Sequence, residues 1–346
     1  MKAIVYEEFN GPLHVKNVPS PKVENHGVII QIKATGMCLS DWHGWKGHDQ
    51  DIELPQVPGH ELAGEIVELG KSVKNFSIGD RVTVPFVCAC GSCYECYSGN
   101  QQVCDNQSQP GFTQWGSFAE YMEINHADLN LVKIPDEISN ETASLLGCRF
   151  TTSFRAVVAQ GKVRGGMKVA VHGCGGVGLS AIMIAKALGA QVIAIDINQN
   201  ALDYATRIGA EYVINAKETA DVVQEVHNWS CGGVNVSLDA IGNKVTCFNS
   251  IANLKKRGKH IQVGLMTGND QHPKIPMDLV VAKELEVIGS HGMQAYRFQE
   301  IFDMIQIGAI KPELLLEKTV SLEEGAKLLP LMDQFVNPGV TVINQF

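Results

Sequence analysis

Between Cys38 and Glu61 the chain gathers a thiol, a hydroxyl (Ser40), carboxylates (Asp41, Glu61) and imidazoles (His43, His60). Thiolate and neutral imidazole are the ligands that Zn²⁺ takes most readily. A hydroxyl two residues past the thiol can sit at the same metal and handle a proton. Taken alone, the stretch reads equally well as a polar surface loop with one buried Cys and some solvated His. Chemistry elsewhere in the chain must decide.

A second group is more specific. Cys90, Cys93, Cys96 and Cys104 follow the pattern C-x2-C-x2-C-x7-C. Four thiolates close a tetrahedral shell around Zn²⁺ and leave no open position, which makes a structural site. Its binding energy would also be folding energy for an irregular lobe. An iron–sulfur cluster is the chemical runner-up. Cys88 lies nearby but fits the spacing less well and reads as a bystander.

A third motif supplies a place for a cofactor. Lys168–His172 reads as a strand running into Gly173-Cys174-Gly175-Gly176-Val177-Gly178, and a helix follows. In G-x-G-x-x-G, Gly173 permits the tight turn. Gly175 lets backbone approach a pyrophosphate, and Gly178 lets helix and strand pack closely. The pyrophosphate would sit on free N–H groups at the helix start, at Gly176 and Val177. Asp196 ends the next strand, 18 residues beyond Gly178, where an acid accepts hydrogen bonds from the adenine ribose and repels a 2′-phosphate. Ile197-Asn198-Gln199-Asn200 offers no cation for that phosphate, so NAD is expected over NADP. Val263 and Gly264, at the end of a strand from His260, are further cofactor candidates.

Two kinds of element must position these groups. Val28–Ile32, Glu61–Leu69 and Arg81–Val84 read as strands separated by Gly and Asp turns, a β-rich, barrel-like region over residues 1–150. Ser139 is a plausible N-cap for a helix to Leu146. Near residue 150 the texture changes. A helix over Thr152–Ala159 comes first, and short apolar strands then alternate with helices to Leu285–Gly289, which predicts a doubly wound parallel sheet. The tail holds an amphipathic helix (Arg297–Ile307), a strand (Leu314–Val320), a helix over Leu322–Phe335 and a terminal strand (Val340–Ile343). It most simply returns to the first region.

The 346 residues suggest two domains, and 45% hydrophobic with 19% charged residues is ordinary globular composition. A net charge of −9 argues against nucleic acid or an anionic membrane as a partner. No apolar run is long enough to span a bilayer, and the first residues, M-K-A-I-V-Y-E-E, do not form a secretory segment. A cytoplasmic address follows, and in that setting metal-type spacing of cysteines outweighs disulfides.

Together G-H-E at 59–61, the four-Cys lobe at 90–104 and G-C-G-G-V-G at 173–178 resemble the zinc-dependent medium-chain alcohol dehydrogenases, nearly end to end. The resemblance implies an α/β fold: a GroES-like, β-rich catalytic domain from both chain ends (1–150 and 291–346) and a central Rossmann domain (151–290). It implies a catalytic zinc on Cys38, His60 and Cys148, besides the structural one. Residue type alone would make Cys148 a buried apolar thiol; a carboxylate there would point to polyol or threonine-type branches. Three ligands leave one position open for an alcohol, whose hydroxyl the cation acidifies as hydride passes to NAD.

The same resemblance implies a proton relay through Ser40, the nicotinamide ribose and His43. Asp41 would orient a ligand imidazole, and Glu61 would lie beside the metal. Two departures stand out. The family's usual Arg partner for Glu61 lies near the C-terminus, but no Arg follows Arg297, and V-T-V-I (340–343) stands in that region. Leu39 replaces a basic or polar residue near the pyrophosphate, which would loosen NAD. Phe86 and Trp42 are candidates for the substrate-pocket wall, while Trp45 and Trp115 read as packing. The expected reaction is reversible oxidation of primary or secondary alcohols to aldehydes or ketones. A polyol or amino-alcohol dehydrogenase is the alternative, and an NAD-binding structural protein the non-enzyme one. A homodimer or homotetramer, paired through the strand near Leu285–Gly289, is the expected assembly.

Overall fold

A computed structural model describes residues 1–334 and 339–346. One regular unit is a six-stranded sheet with every neighbouring pair parallel. The order is Tyr212–Asn215, Gln191–Asp196, Lys168–His172, Val234–Asp239, Leu254–Gln262 and Glu286–Gly289. Val169 and Val171 face Leu179 and Ile182 on one side, while Ala170 and Ile193 face Val226 and Ile251 on the other. Both faces are therefore covered, as the continuous apolar strands require. Strand order reverses between Lys168–His172 and Val234–Asp239, and a ligand crevice opens at such a switch point.

The second sheet has seven strands and is mostly antiparallel. Val28–Gly36 is its centre, paired with Glu61–Leu69 and with Tyr121–Ile124. The terminal strand Val340–Gln345 returns to it, with Val342 opposite Gly36. The register Gly36 opposite Glu61 has a direct consequence. Cys38 lies two residues past the end of one strand and His60 one residue before its partner, so ladder pairing alone brings thiol and imidazole together.

Several strands fall where sequence places them, Glu61–Leu69 and Lys168–His172 among them, and Ser139 caps its helix by accepting from Thr142 N–H at 3.1 Å. Three differences matter. A helix at Leu39–Trp45, unanticipated from sequence, begins directly after Cys38. The expected single helix over Thr152–Ala159 is instead one α-helical turn, Thr151–Phe154, flanked by π-helical turns at Leu146–Phe150 and Arg155–Gln160. Wide turns of that kind cluster at functional sites, and the first contains Cys148. The helix from Leu322 is α-helical to Leu328 and 3₁₀ to Gln334; its expected last residue, Phe335, lies outside the described residues. No helix among the described residues is long and apolar enough to cross a membrane.

Candidate active site

Cys38, His60, Glu61 and Cys148 converge, with their candidate ligand atoms all within 4.8 Å of one another. Asp41 ties this group together. Its Oδ2 accepts from Cys38 N–H at 2.9 Å, and its Oδ1 accepts from Gly59 N–H at 3.0 Å and contacts His60 Nδ1 at 2.8 Å. One carboxylate thus fixes the helix start, the loop before the partner strand and the imidazole tautomer. With Nδ1–H turned to Asp41, Nε2 of His60 is left as a lone-pair donor. That atom is buried and has no hydrogen-bond partner, a costly arrangement unless something binds there. The two thiols titrate as a pair. A hydrogen bond from Cys148 holds Cys38 well below the ordinary thiol range against its burial, and that bond with burial pushes Cys148 up. A soft lone pair, a stabilised thiolate and a second thiol are a donor set that fits Zn²⁺.

Glu61 has its cation, but not from the C-terminus. Arg149, next to Cys148, donates from Nε to Oε1 and Oε2 at 3.0 and 2.9 Å and from Nη2 to Oε2 at 2.5 Å. The Arg149 backbone N–H also donates to Oε1 at 2.9 Å. Both side chains are buried. The terminal strand passes close by, with the Thr341 carbonyl accepting from Met37 N–H at 2.9 Å, yet it carries no cation. Sequence separation of 88 residues hid this pair; the adjacency of Arg149 to Cys148 was the only local signal.

A cavity of about 220 Å³ opens beside this group. Ser40, His60, Cys148, Phe86, Phe112, Val263 and Leu265 are among its lining residues. Ser40 Oγ lies 3.6 Å from Cys38 Sγ. His43 and His48 also line the cavity, and their Nδ1 atoms are 2.8 Å apart, so one donates to the other. Burial, and then the neighbouring His48, lower the His43 pKa. Phe86 sets its ring edge-on to His60 and to His291. Trp42 does not line this cavity; its ring packs edge-on against His43 and His48 and joins the core formed with Trp45 and Leu322. Trp45 is core, as expected, but Trp115 is exposed rather than packed, with its indole N–H donating to the Pro55 carbonyl at 3.0 Å. Sequence reasoning did not single out Arg149, His48, Phe112, Leu265 or His291.

The cavity continues to the glycine loop through Val177 and Val263. Gly173 has φ +96°, a left-handed turn that glycine permits. A Cβ on Gly178 would lie 1.7 Å from the Gly173 carbonyl oxygen, whereas one on Gly175 would meet nothing within 4 Å. The loop is therefore closed where helix meets strand and open where a pyrophosphate would rest on the helix N-terminus, so the residues present fit a dinucleotide. Asp196 Oδ2 accepts from Cys174 N–H at 2.7 Å and Oδ1 from Asn198 N–H at 2.9 Å, so backbone on both sides fixes the carboxylate at the strand end beside the glycine loop. Gly264 N–H and Val263 N–H both donate to the Asp239 carbonyl, pinning the neighbouring loop.

The second cysteine group is equally compact. Cys90, Cys93, Cys96 and Cys104 also lie with ligand atoms within 4.8 Å of one another. Cys93 Sγ is 3.5 Å from Cys96 Sγ and 3.7 Å from Cys104 Sγ. Zn–S bonds of about 2.3 Å imply tetrahedral sulfur separations of about 3.8 Å, so this shell fits one zinc. Hydrogen bonds from Ser92 bring Cys90 down to about 5, while burial pushes Cys104 up to about 12. Cys88 stands apart, buried with Val82 and Val84.

Residues 24–136 match the model of the alcohol dehydrogenase GroES-like domain, and residues 176–307 that of the zinc-binding dehydrogenases. An NAD-dependent alcohol dehydrogenase of Sulfurisphaera tokodaii is 33% identical over 353 residues, 99% of each chain. An L-threonine 3-dehydrogenase of Burkholderia thailandensis is 33% identical over 315 residues, 89% of each. Among solved structures, the alcohol dehydrogenase TADH from Thermus sp. ATN1 superposes over the whole of both chains with a TM-score of 0.91 at 28% identity.

Proposed function

The chain belongs to the zinc-dependent medium-chain alcohol dehydrogenases, and from that premise we propose which of its residues carry out NAD-dependent oxidation of an alcohol. Cys38, His60 and Cys148 hold the catalytic zinc, with Asp41 orienting His60. Cys90, Cys93, Cys96 and Cys104 hold the structural one. Zinc supplies Lewis acidity toward the alcohol hydroxyl, and NAD supplies the hydride acceptor. Ser40 takes the hydroxyl proton, and the His43–His48 pair passes it to solvent. Gly173, Gly175, Gly176, Val177 and Gly178 cradle the pyrophosphate, Asp196 selects the unphosphorylated ribose, and Val263 and Gly264 border the nicotinamide. Phe86, with Phe112 and Leu265, keeps water from the reacting carbon.

The buried, unpartnered Nε2 of His60 facing two thiols at one end of a cavity that reaches the glycine loop carries this reading. Among the described residues the cavity wall holds no Lys or Arg, so it favours a neutral primary or secondary alcohol over an amino acid, whose carboxylate would need a cation. Gln109, Asp49 and His291 in the wall keep a polyol as the second reading. NADH absorbance across alcohols, polyols and threonine, with NAD and NADP, tests it. Turnover of simple alcohols with NAD is expected. Turnover restricted to polyols or threonine would overturn the substrate class, and none with any alcohol would overturn the residue roles.

Residues 1–150 with 291–346, and 151–290, form the catalytic and cofactor domains of a cytoplasmic homo-oligomer in this proposal. The supports are the return of Val340–Gln345 to the first sheet and the edge position of Glu286–Gly289 in the parallel sheet.

A further inference from the structure

We propose that Arg149 binds the cofactor as well as Glu61: Nη1 donates to the NAD pyrophosphate while Nε and Nη2 hold the Glu61 carboxylate. The inference rests on the NAD-dehydrogenase reading and adds a residue to its cofactor site. Arg149 is 6% exposed, and its hydrogen bonds are unevenly distributed. Nε contacts both oxygens of Glu61, and Nη2 contacts Glu61 and the Met37 carbonyl at 2.7 Å. Nη1 makes no hydrogen bond among the described residues, although it carries two of the five guanidinium N–H donors. Nη1 is thus the one edge of this otherwise buried cation that has no protein acceptor, and its two donors are free to take one from a ligand.

The direction of Nη1 identifies that acceptor. A Cβ on Gly176 would lie 2.8 Å from Nη1 and 3.0 Å from Cδ, so the guanidinium lies against the first residue of the helix Gly176–Ala187. That helix is 12 residues long, and its free N–H groups favour an anion at this end. Space above Gly175, the adjacent cap, is open. Nothing else in the loop supplies a positive charge: 173–178 contains no Lys or Arg, and the only basic residue of the helix, Lys186, is in its last turn. Leu39 is 46% exposed and uncharged.

Charge and geometry agree. Glu61 neutralises Arg149 in the free protein, and a pyrophosphate brings two more negative charges to the opposite edge of the same guanidinium. A planar fork can serve two anions at once, which an ammonium cannot do with the same geometry. It also explains why Gly176 must lack a side chain, since any Cβ would push the guanidinium off the helix end.

Binding, not turnover, tests this. Zinc-loaded wild type, Glu61→Gln and Glu61→Gln/Arg149→Gln are titrated with NADH by fluorescence, and ADP-ribose and adenosine are measured by competition. The double variant replaces the ion pair with two amides, so no buried charge is left alone. It is expected to bind NADH and ADP-ribose about tenfold or more weakly, the value of one charge-assisted hydrogen bond. Adenosine, which lacks the pyrophosphate, keeps its affinity, and Glu61→Gln alone binds NADH at least as tightly as wild type. NADH affinity in the double variant equal to that of Glu61→Gln overturns the proposal. So does equal weakening of adenosine, which would mark a damaged crevice. A wild type that binds no NADH overturns instead the reading on which the proposal rests.

Discussion

Single side chains carry most of the chemistry, and they differ in how far the sequence exposes them. The four-Cys lobe is readable from residue type and spacing, whereas Cys38 and His60 fit a surface loop equally well until the resemblance to the alcohol dehydrogenases makes them ligands. Cys148 is not readable from its type, because a lone Cys in an apolar segment looks like core. Arg149 is harder still: its meaning lies in Glu61, 88 residues away, and a search confined to the C-terminus misses it. The buried pair makes a clear stability prediction. Arg149→Ala leaves Glu61 buried and uncompensated and is expected to cost about 3–5 kcal/mol in denaturant unfolding; less than about 1 kcal/mol would place the pair at the surface. Ser40→Ala keeps NADH affinity and lowers kcat by about 10²-fold or more if it relays the proton. A pH profile checks the other end of that relay. Burial and His48 hold His43 below its ordinary 6.5, so His43 remains a neutral acceptor as pH falls through 6.5, and the acid limb of alcohol oxidation lies below that value. His48→Gln removes one of the lowering influences, and the limb shifts upward; a limb that stays in place denies His48 a part.

Elements explain why these residues meet. The pairing of Gly36 with Glu61 sets Cys38 beside His60, and a one-residue slip would turn the pair to opposite faces. Strand Glu61–Leu69 was legible to the residue because its apolar run is bounded by turns. The helix Leu39–Trp45 was not, because Leu39, Trp42 and Trp45 recur at helical spacing over only seven residues, too short a run to mark a helix; its geometry comes from Asp41 bonding back to Cys38 and across to Gly59. The π-helical turn around Cys148 was also invisible, since nothing in L-G-C-R-F distinguishes it from an α-helix. At the glycine loop a sharp test is available. Gly178→Ala places a methyl 1.7 Å from the Gly173 carbonyl oxygen, so loop and helix must separate, and NADH binding is expected to fall by more than tenfold, about 1.4 kcal/mol. Unchanged affinity would mean that the cofactor does not use this loop. In the cysteine lobe, Cys93→Ser is expected to remove one zinc and lower the melting temperature while the catalytic ligands keep theirs.

At the scale of the molecule, the two sheets divide the labour. The parallel sheet holds the dinucleotide crevice at its switch point, and the other sheet holds the candidate metal group. The cavity between Cys148 and Val177 joins them. Alternating strands and helices made the first sheet legible, and the returning terminal strand was anticipated only as the simplest place for the tail. The cavity wall was less legible, because Phe112, Leu265 and His291 come from segments far apart in the chain. The edge strand Glu286–Gly289 exposes Val287, and Val287→Lys is expected to lower the mass seen in sedimentation if subunits pair there; an unchanged mass would move the interface elsewhere. The central claim is that Cys38, His60 and Cys148 hold a zinc on which alcohol oxidation depends. It is tested most directly by zinc content and NADH production measured together on wild type and Cys148→Ala. The account predicts two zincs per chain and turnover for wild type, and one zinc without turnover for the variant. A variant that keeps both zincs, or that oxidises alcohol at the wild-type rate, would contradict it.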